Sequence, residues 1–298
     1  MRIIVAVNPN SSFGRHRGAG ERVANALRAA GHDVEALQKT SFIELSDAVA
    51  EGVASRPDLL VVVGGDGMVS LGVNALAGTE IPLGIVAAGT GNDMARGLGL
   101  AYRTPDESLD GLLALLRSEP RRIDLGRIRT ADGTERWFGC VLSAGFDAIV
   151  NERANRMRRP RGASRYIIAL LLELVGLRSR RYRLVVDDVE TRMDAVLIAV
   201  GNNSSLGGGM HITPNASLDD GKLDVVVGKA MGRFELIRLF PKVFSGAHIG
   251  HPKVVEQLGS HIVIDTPGVI AYADGERVGP LPGEITVHPG ALRVLAPR

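Results

Sequence analysis

Leu59-Leu60-Val61-Val62-Val63-Gly64-Gly65-Asp66-Gly67-Met68-Val69-Ser70-Leu71 is the stretch that decides how this chain folds. Five consecutive apolar residues ended by glycine read as a strand covered on both faces, because a strand with one wet face would alternate apolar and polar. The glycines then turn the chain sharply into a helix predicted from Met68 to Ala77. At such a junction backbone N–H groups can point at an anion with no side chain in the way, and the helix N-terminus adds favourable partial charge. Asp66 would repel a bare phosphate unless a cation lies between them or a hydroxyl donates to it, which makes it a candidate for metal-nucleotide or acid–base chemistry. The plainer reading, a tight turn in which glycine only permits positive φ, stands beside it.

The same pattern recurs. Pro82-Leu83-Gly84-Ile85-Val86 runs into Ala87-Ala88-Gly89-Thr90-Gly91-Asn92-Asp93-Met94-Ala95-Arg96, where Thr90 can donate a hydroxyl and Asn92 can cap a helix. Two glycine loops from neighbouring strands would converge at the carboxyl edge of one sheet, where open α/β sheets bind ligands. Neither a Walker A lysine pattern nor GxGxxG is present. Upstream, a strand at Ile3 to Val7, a helix with Val23, Ala24, Leu27 and Ala30 on one face, a strand around Val34 to Leu37 and a helix near Glu44 to Ala54 complete βαβ units.

After Ile123-Asp124-Leu125 the texture changes to strand-like pieces separated by Gly, Asn and Asp: Arg183 to Val186, Met193 to Val200, Leu223 to Val227, His261 to Ile264 and Val269 to Tyr272. We therefore expect an α/β N-terminal domain with a mostly parallel sheet over 1–124 and a β-rich sandwich C-terminal domain over 125–298, the final strand being free to return to the first domain. The 298-residue length fits two domains, and 45% hydrophobic with 23% charged residues supplies an ordinary globular core. A net charge of +2 excludes a protein whose whole surface tracks nucleic acid. Cys140, the single cysteine, excludes an internal disulfide or a cysteine-based zinc site and fits a reducing compartment. The longest apolar stretch, Tyr166 to Leu177, is shorter than the roughly 20 residues of a spanning helix and contains Glu173.

Three further segments carry candidate chemistry. Gly207 to Pro214 followed by Asp219-Asp220-Gly221 is dense turn sequence and reads on its own as a long hairpin connection. Asp274-Gly275-Glu276 sets two carboxylates around a glycine, which suits either a hairpin turn or proton acceptance and charge neutralisation in phosphoryl transfer. Ten arginines between Arg153 and Arg183 edge the apolar stretch, as expected of a segment that lies on an anionic membrane surface; the plainer reading is a buried helix with basic ends. His248 and His251, near a proline in an expected loop, lack the further ligands of a metal site, and Trp137 reads as packing.

Asn8-Pro9-Asn10-Ser11-Ser12, Gly64-Gly65-Asp66-Gly67, Gly89 to Arg96, Pro214 to Gly221 and Asp274-Gly275-Glu276 occur in an order that resembles the diacylglycerol kinase catalytic-domain family, which includes bacterial lipid kinases and sphingosine kinases. GGDG alone is shared with NAD kinases and phosphofructokinase-like enzymes; the GTGNDMAR, DDG and DGE elements are specific. The resemblance implies a lipid kinase that moves the ATP γ-phosphate to a lipid hydroxyl, most simply diacylglycerol to phosphatidic acid. It places ATP contacts on Asn8, Pro9, Asn10, Ser11 and Ser12, on Thr40, on Gly65, Asp66, Gly67, Met68, Val69, Ser70 and Leu71, and on Thr90. The family commonly has threonine after GGDG and then an asparagine–glutamate pair, so Met68-Val69-Ser70-Leu71 is a departure that leaves backbone contacts as the carriers there. It further implies a structural Mg²⁺ on Asp220 with the carbonyls of Ser217 and Lys222, an oxygen-rich site suited to magnesium. Asp66, Asp274 and Glu276 become the catalytic set, with proton acceptance by Asp274 or Glu276.

The implied partners are a diacylglycerol-like membrane lipid and an anionic membrane surface, with no nucleic acid and a homodimer as one compatible assembly; the implied location is cytoplasmic, at the inner face of the membrane. Two other readings stay open: a kinase of a soluble acceptor such as NAD, and a non-catalytic nucleotide- or lipid-binding module.

Overall fold

The computed structural model describes residues 1–8, 18–100, 102–145, 150, 153, 157, 168, 169, 172 and 178–297. The chain divides into two compact units, Met1–Asp124 with Gly290–Arg298 and Leu125–Pro289.

In the first unit, β1 (Arg2–Val7), α1 (Ala19–Ala29), β2 (Asp33–Gln38), α2 (Phe42–Ala54), β3 (Leu59–Gly64), α3 (Asp66–Leu76), β4 (Leu83–Ala87), α4 (Asp93–Gly97) and α5 (Pro105–Leu115) follow in order. The strands lie β2-β1-β3-β4, all parallel, with Ile3 opposite both Val34 and Leu59 and Leu60 opposite Leu83. Parallel strands need crossovers, and the crossovers cover both faces. Ile3, Val5, Leu59, Val61 and Val63 pack with Val23, Ala24 and Leu27 of α1 and Leu109 and Leu112 of α5. The alternate residues Ile4, Leu60 and Val62 are equally buried, with Gly52 of α2 set against Ile4 and Gly72 of α3 against Val62. Two apolar faces per strand explain why β1 and β3 read as unbroken apolar runs. Helix ends follow local chemistry: Ser41 accepts from the Glu44 N–H to start α2, and Thr104 accepts from the Glu107 N–H before Pro105 at the start of α5. Ala30, expected on the buried face of α1, instead caps that helix and is exposed.

The second unit is antiparallel. Its strands begin in β5 (Arg121–Thr130), which crosses from the first unit, and continue as β6 (Glu135–Phe138), β7 (Val141–Gly145), β8 (Arg180–Val186), β9 (Val189–Gly201) and β10 (Leu223–Lys229). After α6 (Arg233–Val243) come β11 (Val254–Gly259), β12 (His261–Asp265), β13 (Ile270–Ala273), β14 (Glu276–Pro280) and β15 (Gly283–Val294), whose last residues belong to the first unit, where Val294 pairs with Leu83. The long β9 organises the unit: its first half pairs with β8, and its second half pairs with β7 and β10. Alternate side chains, Leu142 and Ala144, Tyr182 and Leu184, Ile198 and Val200, Val225 and Val227, Ile262 and Ile264, form one core, while the intervening Val141, Ser143, Ala199 and Val226 are buried on the other face.

Between β10 and β11, His248 and His251 lie in the turn segment 244–253, as expected of a loop, and a helix precedes it. Residues 233–243 are helical, and His248 is buried with Nε2 3.1 Å from the Ile212 carbonyl, so it is a packed interior residue. His251 lies 3.7 Å from Glu235 and accepts at Nδ1 from the Lys253 N–H. Among the described residues no helix is long and apolar enough to cross a membrane. Most of the arginine-edged stretch from Arg153 to Leu177 lies outside the described residues; within it Arg153, Ile168 and Leu172 are exposed and Ala169 is buried.

Candidate nucleotide and phosphoryl-transfer sites

All four parallel strands of the first unit end at the same sheet edge, and the positions expected to meet ATP lie just beyond them. Asn8 follows β1, Thr40 follows β2, Gly65 to Leu71 follow β3 and Thr90 follows β4. Pro9, Asn10, Ser11 and Ser12 lie outside the described residues. The Thr40 hydroxyl donates to Glu44 at 3.3 Å, while Thr90 is exposed.

The two glycine loops touch backbone to backbone. A Cβ on Gly89 would lie 2.3 Å from Gly65 Cα, and one on Gly65 would lie 2.9 Å from Gly89 Cα, so any side chain at either position forces the loops apart. Asp66 fastens them: its two carboxylate oxygens accept from the Asn92 N–H (2.9 Å) and the Asp93 N–H (2.7 Å). These amides open α4, so Asp66 caps that helix from another element. Asn92, expected to cap α4 with its side chain, sits at φ 53° with no side-chain cap bond and instead bridges Gly89, accepting from its N–H and donating to its carbonyl. Asp93 is buried and paired with Arg96 at 2.9 Å, and Arg96 also donates to the Gly91 carbonyl. Burial, and then the Asp93 charge, hold the Asp66 carboxyl above the usual carboxylate range.

Met68, Val69, Ser70 and Leu71 have buried side chains, which form the underside of the turn rather than a ligand surface. The Met68 and Val69 N–H groups donate to the Gly65 carbonyl, which leaves Gly67 as the bare backbone at the head of α3.

In the second unit the structure separates Asp274 from Glu276. Asp274 sits at φ 50°, and its carboxylate accepts three backbone N–H groups, from Gly139 (2.8 Å), Cys140 (2.9 Å) and Val141 (3.0 Å). The carbonyls of the same turn are held by residues that sequence reasoning missed. Asn202 donates its side-chain amide to the Gly139 carbonyl, and the Asn202 and Asn203 backbone N–H groups donate to the Cys140 carbonyl. An Asn-Asn pair directly after a strand was the available signal. Glu276 pairs through its backbone with Ala273, and its exposed carboxylate takes no hydrogen bond among the described residues.

Around the expected magnesium turn, Asp220 accepts from the Lys222 N–H at 2.9 Å and the Ser217 hydroxyl donates to Asp219 at 3.1 Å. Sequence reasoning missed the acids behind it. Asp224 is 2% exposed, and Glu256, bonded to Asn215 at 2.8 Å, has its other oxygen buried without a partner. The signal for Asp224 was an acid inside the apolar strand Leu223 to Val227. Burial, then the Glu256 and Asp220 charges, push the Asp224 carboxyl up to about 6. Uncompensated negative charge beside Asp220 fits a divalent cation, although no cluster of three or more His, Cys, Asp or Glu with metal-holding geometry occurs among the described residues.

Comparison with known proteins places this geometry. The diacylglycerol kinase catalytic domain matches residues 2–128 and the YegS C-terminal NAD kinase beta sandwich-like domain matches residues 140–296. A diacylglycerol kinase of Mycobacterium tuberculosis is 42% identical over 298 residues, covering 100% of this chain and 96% of its own. A probable lipid kinase YegS-like protein of Stenotrophomonas maltophilia is 32% identical over 186 residues, 60% of this chain and 59% of its own. Among solved structures, a putative diacylglycerol kinase of Bacillus anthracis superposes with TM-score 0.77 at 23% identity over 99% of this chain and 97% of its own. An NAD kinase of Archaeoglobus fulgidus superposes with TM-score 0.54 at 17% identity, covering 99% and 92%. The fold class is thus the one shared by diacylglycerol and NAD kinases. The chain belongs to the diacylglycerol kinase catalytic-domain family and is an ATP-dependent lipid kinase.

Two outcomes follow from the geometry. Gly89→Ala should weaken ATP binding at least about tenfold and lower stability by about 1–3 kcal/mol, as expected when an added methyl meets backbone; isothermal titration and thermal melting measure both. The raised Asp224 carboxyl favours the fold in its protonated form, so that contribution is complete below its unfolded value of 3.8 and is lost as pH rises through about 6. Melting curves in chelator should therefore show a decline between about pH 4 and about pH 7 that is smaller in Asp224→Asn.

Proposed function

We propose that this lipid kinase phosphorylates diacylglycerol to phosphatidic acid. The diacylglycerol kinase of M. tuberculosis, similar over the whole chain, supports the choice of acceptor. The observation that carries the chemistry is the pair of glycine loops closed on each other by Asp66 at the carboxyl edge of the parallel sheet. In this reading the ATP phosphates meet backbone N–H groups of the β3–α3 and β4–α4 turns, with the Thr90 hydroxyl as a further donor. Asp66 acts as a positioning residue, since both of its oxygens already hold loop amides.

The two late carboxylates take different roles. In phosphoryl transfer the acceptor hydroxyl oxygen forms a bond to the γ-phosphorus, the bond to the ADP-bridging oxygen breaks, and the hydroxyl proton must leave. Glu276, its carboxylate exposed and unbonded, is the proton acceptor. Asp274, whose carboxylate already accepts three N–H groups, is poorly placed to take a proton and serves to hold the 139–141 turn. Mg²⁺ would supply charge neutralisation near phosphate and, at Asp220 with the Ser217 and Lys222 carbonyls, would compensate the Asp220, Asp224 and Glu256 charges.

The test separates the two acids. Glu276→Gln should cut turnover of diacylglycerol at least about a hundredfold, the lower range for a positioned acid or base, while melting temperature and ATP affinity stay unchanged. Asp274→Asn should lower the melting temperature, because an amide offers one acceptor oxygen where the turn requires two. Full turnover in Glu276→Gln, or an unchanged melting temperature in Asp274→Asn, would reverse the assignment. Labelled product on another lipid with none on diacylglycerol would reject the acceptor.

A further inference from the structure

Helix α6 carries two apolar faces where a helix on a globular unit ordinarily has one. Leu239 and Val243 are buried against the unit. On the opposite side Phe234, Ile237, Pro241 and Phe244, at spacings of three, four and three, fall on one stripe and point to water, with Phe234 82%, Ile237 47% and Phe244 51% exposed. Arg233 lies on one flank of the stripe and Arg238 and Lys242 on the other, all exposed. None of the three has a carboxylate partner among the described residues, and the one acid of the helix, Glu235, is neutralised by Lys253 at 2.7 Å. Beside the stripe an open groove of 780 Å³ is lined by Phe234, Leu239, Arg238, Lys242, His251 and the Lys253-paired Glu235. Protruding aromatic and aliphatic side chains rimmed by unpaired cations suit an occupant with an apolar interior and a negative surface.

We propose that α6 is a membrane-docking element that inserts Phe234, Ile237 and Phe244 into the headgroup–acyl boundary of a bilayer containing anionic phospholipid, with Arg233, Arg238 and Lys242 on the headgroups. The proposal deepens the lipid-kinase reading, since a water-insoluble acceptor requires the enzyme to work at a bilayer. The charge distribution favours a bilayer over a second copy of the chain: a two-fold contact through this face would bring its cations toward their own copies. A short amphipathic helix binds an interface through buried apolar area plus attraction to anionic lipid, and both terms are present here.

The test is co-sedimentation of the full chain with phosphatidylcholine vesicles with and without phosphatidylglycerol, across a salt series. The double substitution Phe234→Glu and Ile237→Glu should weaken binding to both vesicle types by at least about tenfold. Replacing Arg233, Arg238 and Lys242 by Gln should weaken binding to the anionic vesicles alone, and high salt should reproduce that loss in the unmodified chain. All five positions are exposed or on the open groove, so melting temperatures should not move. Phosphorylation of a short-chain acceptor dispersed in water should also be unchanged, which keeps a failure of this surface distinct from a failure of the kinase assignment. Unaltered binding of both variants to anionic vesicles at low salt would overturn the proposal. So would conversion of a dimer to a monomer by the Glu substitutions with vesicle binding intact, which would make the stripe a contact between copies.

Discussion

The Asp66 carboxylate, holding the Asn92 and Asp93 amides, is the interaction on which the nucleotide-binding end of the first unit depends. Without it the β3–α3 and β4–α4 turns would be joined only at their base, where the Ala88 N–H donates to the Gly64 carbonyl. With it they form one continuous backbone surface in which Gly65 and Gly89 lie in contact. Placing a half-buried acid next to buried Asp93 raises its carboxyl, and the two amide bonds together with the Asp93–Arg96 pair offset that penalty. The acid in GGDG is thus explained by structure before chemistry is invoked: a helix start that would otherwise present unsatisfied N–H groups is capped from a neighbouring strand's loop.

A second carboxylate clamp organises the other unit by the same physics. Asp274 accepts the N–H groups of 139–141 while Asn202 and Asn203 donate to the carbonyls of that turn, so the start of β7, the end of β9 and the β13–β14 turn are fixed to one another. A backbone turn saturated from both sides is rigid, and it leaves Glu276 as the exposed member of the DGE element. Two acids two residues apart are equivalent in sequence. Their hydrogen bonds make them different.

Much of the architecture was legible because it rests on local pattern. Apolar runs such as Leu59 to Val63 and Ile3 to Val7 read as strands, and short strand-like pieces such as Arg183 to Val186 and Met193 to Val200, separated by Gly, Asn and Asp, marked the β-rich unit. Helix α6 was not legible, because its apolar residues fall on two faces and Pro241 lies within it, so no single 3.6-residue stripe stands out. The partners of Asp66 and Asp274 were also hidden. Each pairing joins residues far apart in sequence, 26 to 27 positions for Asp66 and 133 to 135 for Asp274. A motif names the acid but not the amides it holds.

Hydrogen exchange on the unmodified chain, with and without ATP, tests the central claim most directly, because it reads the loop amides themselves. The account predicts that ATP slows exchange in 64–67 and 89–93 together, as one surface, with little change in the body of β3 and β4. Protection of only one of the two loops, or of neither while another segment becomes protected, would contradict it.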